Sequence, residues 1–200
     1  MTYTFISYSS DTVTARQFDQ LETFLSESVN LNEPASINMF WEPQGLLYNI
    51  HTKTRWLQDQ GAIYLICFHD RPIGVSCVEY PEHSRDFAIG GIRTYIDPLH
   101  RSAGAVGAAL EQQTIWAQDR RCQFMLVTFN DYNRVAHTAV GLGARYRRAA
   151  GWSAWWDDCY PVPEPIMVRH TLQWAVIKPI LNADNTENCQ LLVDWANKYQ

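Results

Sequence analysis

The stretch Tyr95–Gly107, Y-I-D-P-L-H-R-S-A-G-A-V-G, constrains the fold of this chain more than any other. The strand-like run Ile92–Ile96 meets Asp97-Pro98 and must stop there, because a proline has no N–H to add to a ladder. Arg101 follows, then the small-residue run Ser102-Ala103-Gly104-Ala105-Val106-Gly107, which opens an amphipathic helical pattern. Strand, small-residue loop and helix N-terminus in that order suit a phosphate. The first N–H groups of a helix have no internal partner and carry the positive end of its dipole. Small side chains let a pyrophosphate come close to that backbone. No G-K-[ST] follows, so this is not a Walker loop, and G-x-G-x-x-G is absent.

The rest of the chain reads as α/β. Tyr3–Tyr8 alternates weakly and is a first strand. Asp11, Thr12 and Thr14 offer caps for a helix through about Ser28, with Phe18, Leu21, Phe24 and Leu25 as its apolar stripe. Leu31–Gln44 reads as loop or broken helix, and Leu46–Gln58 as a second helix. Gly61–Phe68 is a continuous apolar run of strand length, and Ile73–Tyr80 pairs with it across the turn His69–Pro72. Phe87–Ile96 is the next strand and leads into the small-residue loop. Gly90-Gly91 inside it predicts a bulge or a close backbone approach. The helix Val106–Asp119 presents Val106, Ala109, Leu110 and Trp116 to a sheet. Phe124–Phe129 is a buried-type strand, followed by a short helix ending near Leu142-Gly143. Arg145–Trp156 and Ile166–Val176 read as two β segments around the turn-rich Asp157–Pro165, and Cys189–Asn197 as a terminal helix anchored by Leu191, Leu192 and Trp195.

Composition narrows the class. At 200 residues and 46% hydrophobic content the chain can bury a full core in one domain. The net charge of −5 argues against general affinity for nucleic acid or an anionic membrane. No run reaches the roughly 20 apolar residues of a membrane helix. Five widely spaced cysteines with no C-x-x-C disfavour a zinc site, and with no secretory signal they point to a reducing cytoplasm.

Ile96, Pro98, Arg101 and Gly104 fall on the fixed positions of V-x-P-x-x-R-x-x-G-x-G/A, so the stretch resembles motif A of the GNAT acyltransferases. Val106 occupies the last small position and Gly107 follows one residue late. A second patch is similar to motif B of that family: Asn133, Ala136 and Leu142-Gly143 match N-x-x-A…L-G. The resemblance is best from about Gly61 to Arg148. It implies a mixed α/β sandwich, a central mixed sheet flanked by helices, spanning residues 1–177, with 178–200 as a C-terminal extension. It also implies acetyl-CoA as cosubstrate, bound by Tyr95, Ile96, Arg101, Ser102, Ala103, Gly104, Ala105, Val106, Gly107 and Asn133, and a V-shaped splay between Phe87–Ile96 and Phe124–Phe129.

Acyl transfer to an amine needs a polarised thioester carbonyl, a neutral amine and a protonated leaving thiolate. The resemblance assigns the first to a backbone amide at Tyr95 or Ile96. The second falls to a carboxylate, Glu79 or Asp86. The family's acid is a tyrosine in motif B, but that position is Ala139 here. Tyr132, Tyr146 and His137 are candidates to replace it, Tyr132 first among them.

Two functions follow from the resemblance. One is an N-acetyltransferase acting on an amine of a small molecule or protein. The other is a GNAT-shaped protein without catalysis, such as a phage assembly or virion component. Either can act as a homo-oligomer or in a larger assembly.

Overall fold

Runs of β-formers bounded by Gly, Pro and Asp become strands where sequence reasoning places them. The structure, a computed structural model, describes residues 3–8, 14–29, 60–100, 105–129, 154–168 and 171–199. Its strands are β1 (Tyr3–Tyr8), β2 (Gly61–Phe68), β3 (Arg71–Glu79), β4 (Phe87–Ile96), β5 (Phe124–Phe129), β6 (Tyr160–Pro161), β7 (Ile166–Val168) and β8 (Thr171–Pro179). Three α-helices are described: α1 (Ala15–Phe24), α2 (Ala105–Asp119) and α3 (Asn185–Tyr199). The eight-stranded sheet has the order β1-β2-β3-β4-β5-β8-β6, with β7 paired to β8. It is mixed: β4 and β5 are parallel, whereas β1–β2, β2–β3 and β5–β8 are antiparallel. The expected central mixed sheet is present, with β4 and β5 as parallel neighbours in register from Phe87↔Phe124 to Gly90↔Val127.

The chain forms two compact units: residues 1–79 with 93–109, and residues 80–92 with 110–200. Both β4 and α2 run from one unit into the other.

In the first unit, α1 starts at Thr14, the last of the candidate caps. The Gln17 N–H donates to Thr14 Oγ1 at 3.3 Å, and the Thr14 N–H donates to Gln17 Oε1 at 3.0 Å. This reciprocal box satisfies two donors that a helix start otherwise leaves open. The helix buries Leu21 and Phe24, then widens to a π-helical turn over Leu25–Val29 that buries Leu25 and Val29. Ser26 Oγ donates to the Glu22 carbonyl at 2.9 Å there, and such back-bonding commonly accompanies a local bend in a helix. Ile66, Ile73, Ile96, Ala105 and Ala109 form one apolar cluster, with Tyr3, Phe5, Phe68 and Val106 at its margin.

In the second unit, Phe87, Ile89, Phe124, Leu126, Ala175 and Ile177 pack with Leu192 and Trp195 of α3. Phe87 stacks on Phe124 at 4.8 Å and meets Trp195 edge-on at 5.5 Å. Asp184 caps α3: its Oδ1 accepts from the Thr186 and Glu187 N–H groups at 2.8 and 3.2 Å. Trp195 Nε1 donates to the Glu82 carbonyl at 2.8 Å. The expected extension from residue 178 thus begins inside β8 and supplies core residues.

Three expectations change. The segment Ile166–Val176 holds two antiparallel strands, not one, with Ile166↔Gln173 and Val168↔Thr171 in register. The end of the expected strand Arg145–Trp156 is a 3-10 turn, Ala154–Asp158. Tyr160–Pro161, read as turn, is a short strand against Ile177 and Val176. The expected helix Leu46–Gln58 and the segment Asn130–Leu142 lie outside the described residues.

Candidate functional site

The strand stop predicted at Asp97-Pro98 is built by Asp97 itself. Its N–H still belongs to the β3–β4 alignment, donating to the Ile73 carbonyl at 2.8 Å. Beyond it, Asp97 Oδ1 accepts from the Leu99 N–H at 2.9 Å, and the Asp97 carbonyl accepts from the His100 N–H at 2.8 Å. The side chain thus replaces the ladder with a turn, and Pro98–His100 becomes one turn of 3-10 helix. Five residues after His100, α2 begins at Ala105. Ala105 and Gly107 are buried and Val106 half-buried, so the first turn of α2 packs its small side chains inward. Arg101, Ser102, Ala103 and Gly104 lie outside the described residues.

Tyr95 and Ile96 end β4 in the core of the first unit. The Tyr95 ring is buried and packs against Phe24 at 6.2 Å. Ile96 joins the cluster containing Ala105 and Ala109. The end of β4 and the start of α2 are therefore held by one apolar cluster. Gly74 runs directly alongside: a β-carbon there would lie 2.7 Å from the Tyr95 carbonyl oxygen.

Glu79 is the last residue of β3 and is buried. Its Oε2 accepts from Arg93 Nη1 at 3.3 Å, with side-chain exposures of 6% for Glu79 and 3% for Arg93. Ser76 Oγ and Thr94 Oγ1 lie 2.6 Å apart on the same two strands. Sequence reasoning missed Arg93, because an arginine in a strand is ordinarily an exposed alternate residue and nothing local marks it as buried. Glu79, Tyr95 and Ile96 fall in one compact unit with Ala105, Val106 and Gly107.

Asp86 falls in the other unit and is exposed. It precedes the first residue of β4, and its Oδ2 accepts from Ser84 Oγ at 3.3 Å. Tyr95 lies nine residues further along the chain, in the first unit. Tyr132 and Asn133 lie outside the described residues.

The Gly90-Gly91 irregularity is present. Gly91 has φ 69°, outside the extended region, and its N–H donates to Gln113 Oε1 of α2 at 2.7 Å. Gln113 is fully buried. A β-carbon on Gly90 would lie 2.6 Å from Met125 Sδ and 3.0 Å from Gln113 Oε1. The recorded β4–β5 register runs from Phe87↔Phe124 to Gly90↔Val127.

Among the described residues, no group of three or more His, Cys, Asp or Glu side chains is placed to hold a metal ion. Among them, too, no helix is long and apolar enough to cross a membrane. None of the five cysteines forms a disulfide.

No protein-family model matches the sequence, and no curated protein matches it. Solved structures do match the fold. A GNAT-family acetyltransferase from Staphylococcus aureus is similar over 90% of this chain and 99% of its own, with a TM-score of 0.54 and 9% identity. A GNAT-family structure from Desulfovibrio desulfuricans is similar over the same shares, with a TM-score of 0.54 and 10% identity. An acetyltransferase from Streptococcus agalactiae covers 88% of this chain and 98% of its own, with a TM-score of 0.51 and 8% identity. The chain has a GNAT-like α/β fold.

Proposed function

We propose that this protein is an acyl-CoA-dependent N-acyltransferase that moves an acetyl group from acetyl-CoA to an amine. One observation carries the reading: the strand stop at Asp97 and the start of α2 at Ala105 bracket Arg101 and Gly104, the residues that match motif A. The residues present suit a pyrophosphate. Small side chains open α2, and its first N–H groups point back toward the loop. Arg101 supplies a cation to phosphate, and Gly104 a close backbone approach. Asn133, which matches motif B, would contact the pantetheine arm.

Acetyl-CoA supplies the thioester. A backbone amide at Tyr95 or Ile96 polarises its carbonyl. Glu79 takes a proton from the incoming ammonium, directly or through a water, so that the neutral nitrogen can bond to the carbonyl carbon. The C–S bond breaks as the C–N bond forms, and Tyr132 or solvent protonates the thiolate. Glu79 is favoured over Asp86, because Glu79 is buried in the unit that holds Tyr95, whereas Asp86 is exposed beyond the far end of β4. The acceptor is a small-molecule or protein amine. The absence of a tyrosine at Ala139 is what supports the second reading, a fold kept for assembly without catalysis.

Titrating acetyl-CoA while following the melting temperature tests the proposal. Saturable binding should raise it by mass action. Arg101→Ala and Gly104→Asp should each weaken acetyl-CoA binding by calorimetry while the unliganded protein melts close to the wild type. Equal affinity in both variants and the wild type would remove the cofactor assignment.

A further inference from the structure

Resting on the proposed acyl transfer, we propose that Arg93 is the positioning residue for Glu79, holding that carboxylate in place from within the neighbouring strand. Three observations from one compact unit carry this. The first is the pair itself: Arg93 Nη1 donates to Glu79 Oε2 at 3.3 Å, and both side chains are almost fully buried. A buried ion pair is a poor way to stabilise a fold. Desolvating two charges offsets most of their attraction, and apolar residues of similar volume usually serve as well.

The second is backbone geometry. Arg93 has φ 50°, in the left-handed region that side chains other than glycine rarely adopt. The other described non-glycine residues with positive φ, His69, Asp70, His83 and Arg121, lie in turns. Arg93 lies inside β4. Strain of this kind persists where the surrounding structure requires it, and it concentrates at functional sites.

The third is the company Arg93 keeps. Thr94 meets Ser76 across the strands, and Tyr95 packs on Phe24. The positive φ falls on Arg93, the residue that reaches Glu79. A base must present its oxygen to a proton in one orientation. A guanidinium on Oε2 fixes the carboxylate's rotation, and a planar fork does this better than an ammonium.

The test is steady-state kinetics of the full chain with acetyl-CoA and a panel of primary amines, following thiol release. Arg93→Met should lower kcat by about tenfold to a hundredfold, within the usual worth of a positioned base, with KM for acetyl-CoA unchanged. Arg93→Lys should recover part of the loss. Glu79→Gln/Arg93→Met should be no slower than Glu79→Gln alone, because the two residues act as one device. If Arg93→Met does not fold, Arg93→Lys decides: a lowered kcat at constant KM supports the assignment. An unchanged kcat, losses that multiply in the double variant, or a KM for acetyl-CoA that rises in step with the loss would overturn it. A wild-type protein that turns over amines regardless of Arg93 overturns this proposal alone. One that binds acetyl-CoA and acetylates no amine overturns the acyl-transfer reading and this proposal with it.

Discussion

Gly74 and Tyr95 approach so closely that no side chain fits between them: a β-carbon on Gly74 would lie 2.7 Å from the Tyr95 carbonyl oxygen and 2.6 Å from Ile96 Cδ1. The isoleucine methyl can turn aside, but the carbonyl belongs to β4 and cannot. Gly74→Ala should destabilise the protein by about 1–3 kcal/mol, the usual cost of overpacking. At roughly 2–4 °C per kcal/mol for a chain of this size, thermal melting will show it. The same variant should weaken acetyl-CoA binding, since β4 must shift at Tyr95 and Ile96. A Gly74→Ala protein that melts with the wild type would contradict the close approach.

Gln113 meets a need that the sheet cannot. With φ 69°, Gly91 turns its N–H out of the ladder direction, and Gln113 Oε1 receives it at 2.7 Å. Gln113→Leu keeps the volume and removes that hydrogen bond, at a cost of about 0.5–1.5 kcal/mol. Urea unfolding should show a lower midpoint with the slope unchanged. Hydrogen exchange at Gly91 should speed up in the variant, and an unaltered rate would remove Gln113 from this role.

Tyr8 links burial to pH. Its side chain is buried, its hydroxyl has no hydrogen-bond partner among the described residues, and burial, with a smaller contribution from Cys67, pushes its pKa up from 10 to about 12. Between these values the unfolded chain releases the proton while the folded chain keeps it. The unfolded state then binds fewer protons, so stability falls as pH rises through that window. Tyr8→Phe should make the alkaline loss shallower without abolishing it, because burial also pushes Tyr160 to about 12. At neutral pH the variant should be as stable as the wild type or more so, since it removes an unsatisfied hydroxyl. Denaturant midpoints at pH 7, 10 and 11 measure both effects, and a destabilised Tyr8→Phe at pH 7 would mean the hydroxyl is paired.

If the protein acetylates amines, the rate should depend on Glu79 more than on Tyr132. An ammonium must lose its proton before it can attack, whereas a thiolate with a conjugate acid near pKa 8.5 can be protonated by water. Glu79→Gln should lower kcat by about 10²-fold, and Tyr132→Phe should change it little. Turnover that survives the first substitution and collapses in the second would reverse the assignment.

How legible the molecule is depends on the range of the forces involved. Gly61–Phe68, Phe87–Ile96 and Phe124–Phe129 have the boundaries in the structure that their sequence predicts, because a β-former run ended by Pro, Gly or a charged turn carries its own limits. The hairpin of β7 and β8 was not legible. Arg169-His170 carries no glycine, proline or asparagine to announce a reversal, so the run read as one strand.

Sequence alone determined the order of β1, α1, β2, β3, β4, α2 and β5, the strand stop at Asp97-Pro98 and the small-residue opening of α2, since each follows from local chemistry: a missing N–H, a small side chain, a periodic apolar face. Tertiary structure alone decided that Gly74 must be glycine, that Gln113 answers Gly91, and that Glu79 is buried against Arg93 while Asp86 stays in solvent. Those facts depend on which residues of separate strands and helices come to lie opposite one another. Pairing register sets that, and it is decided by the packing of the whole sheet.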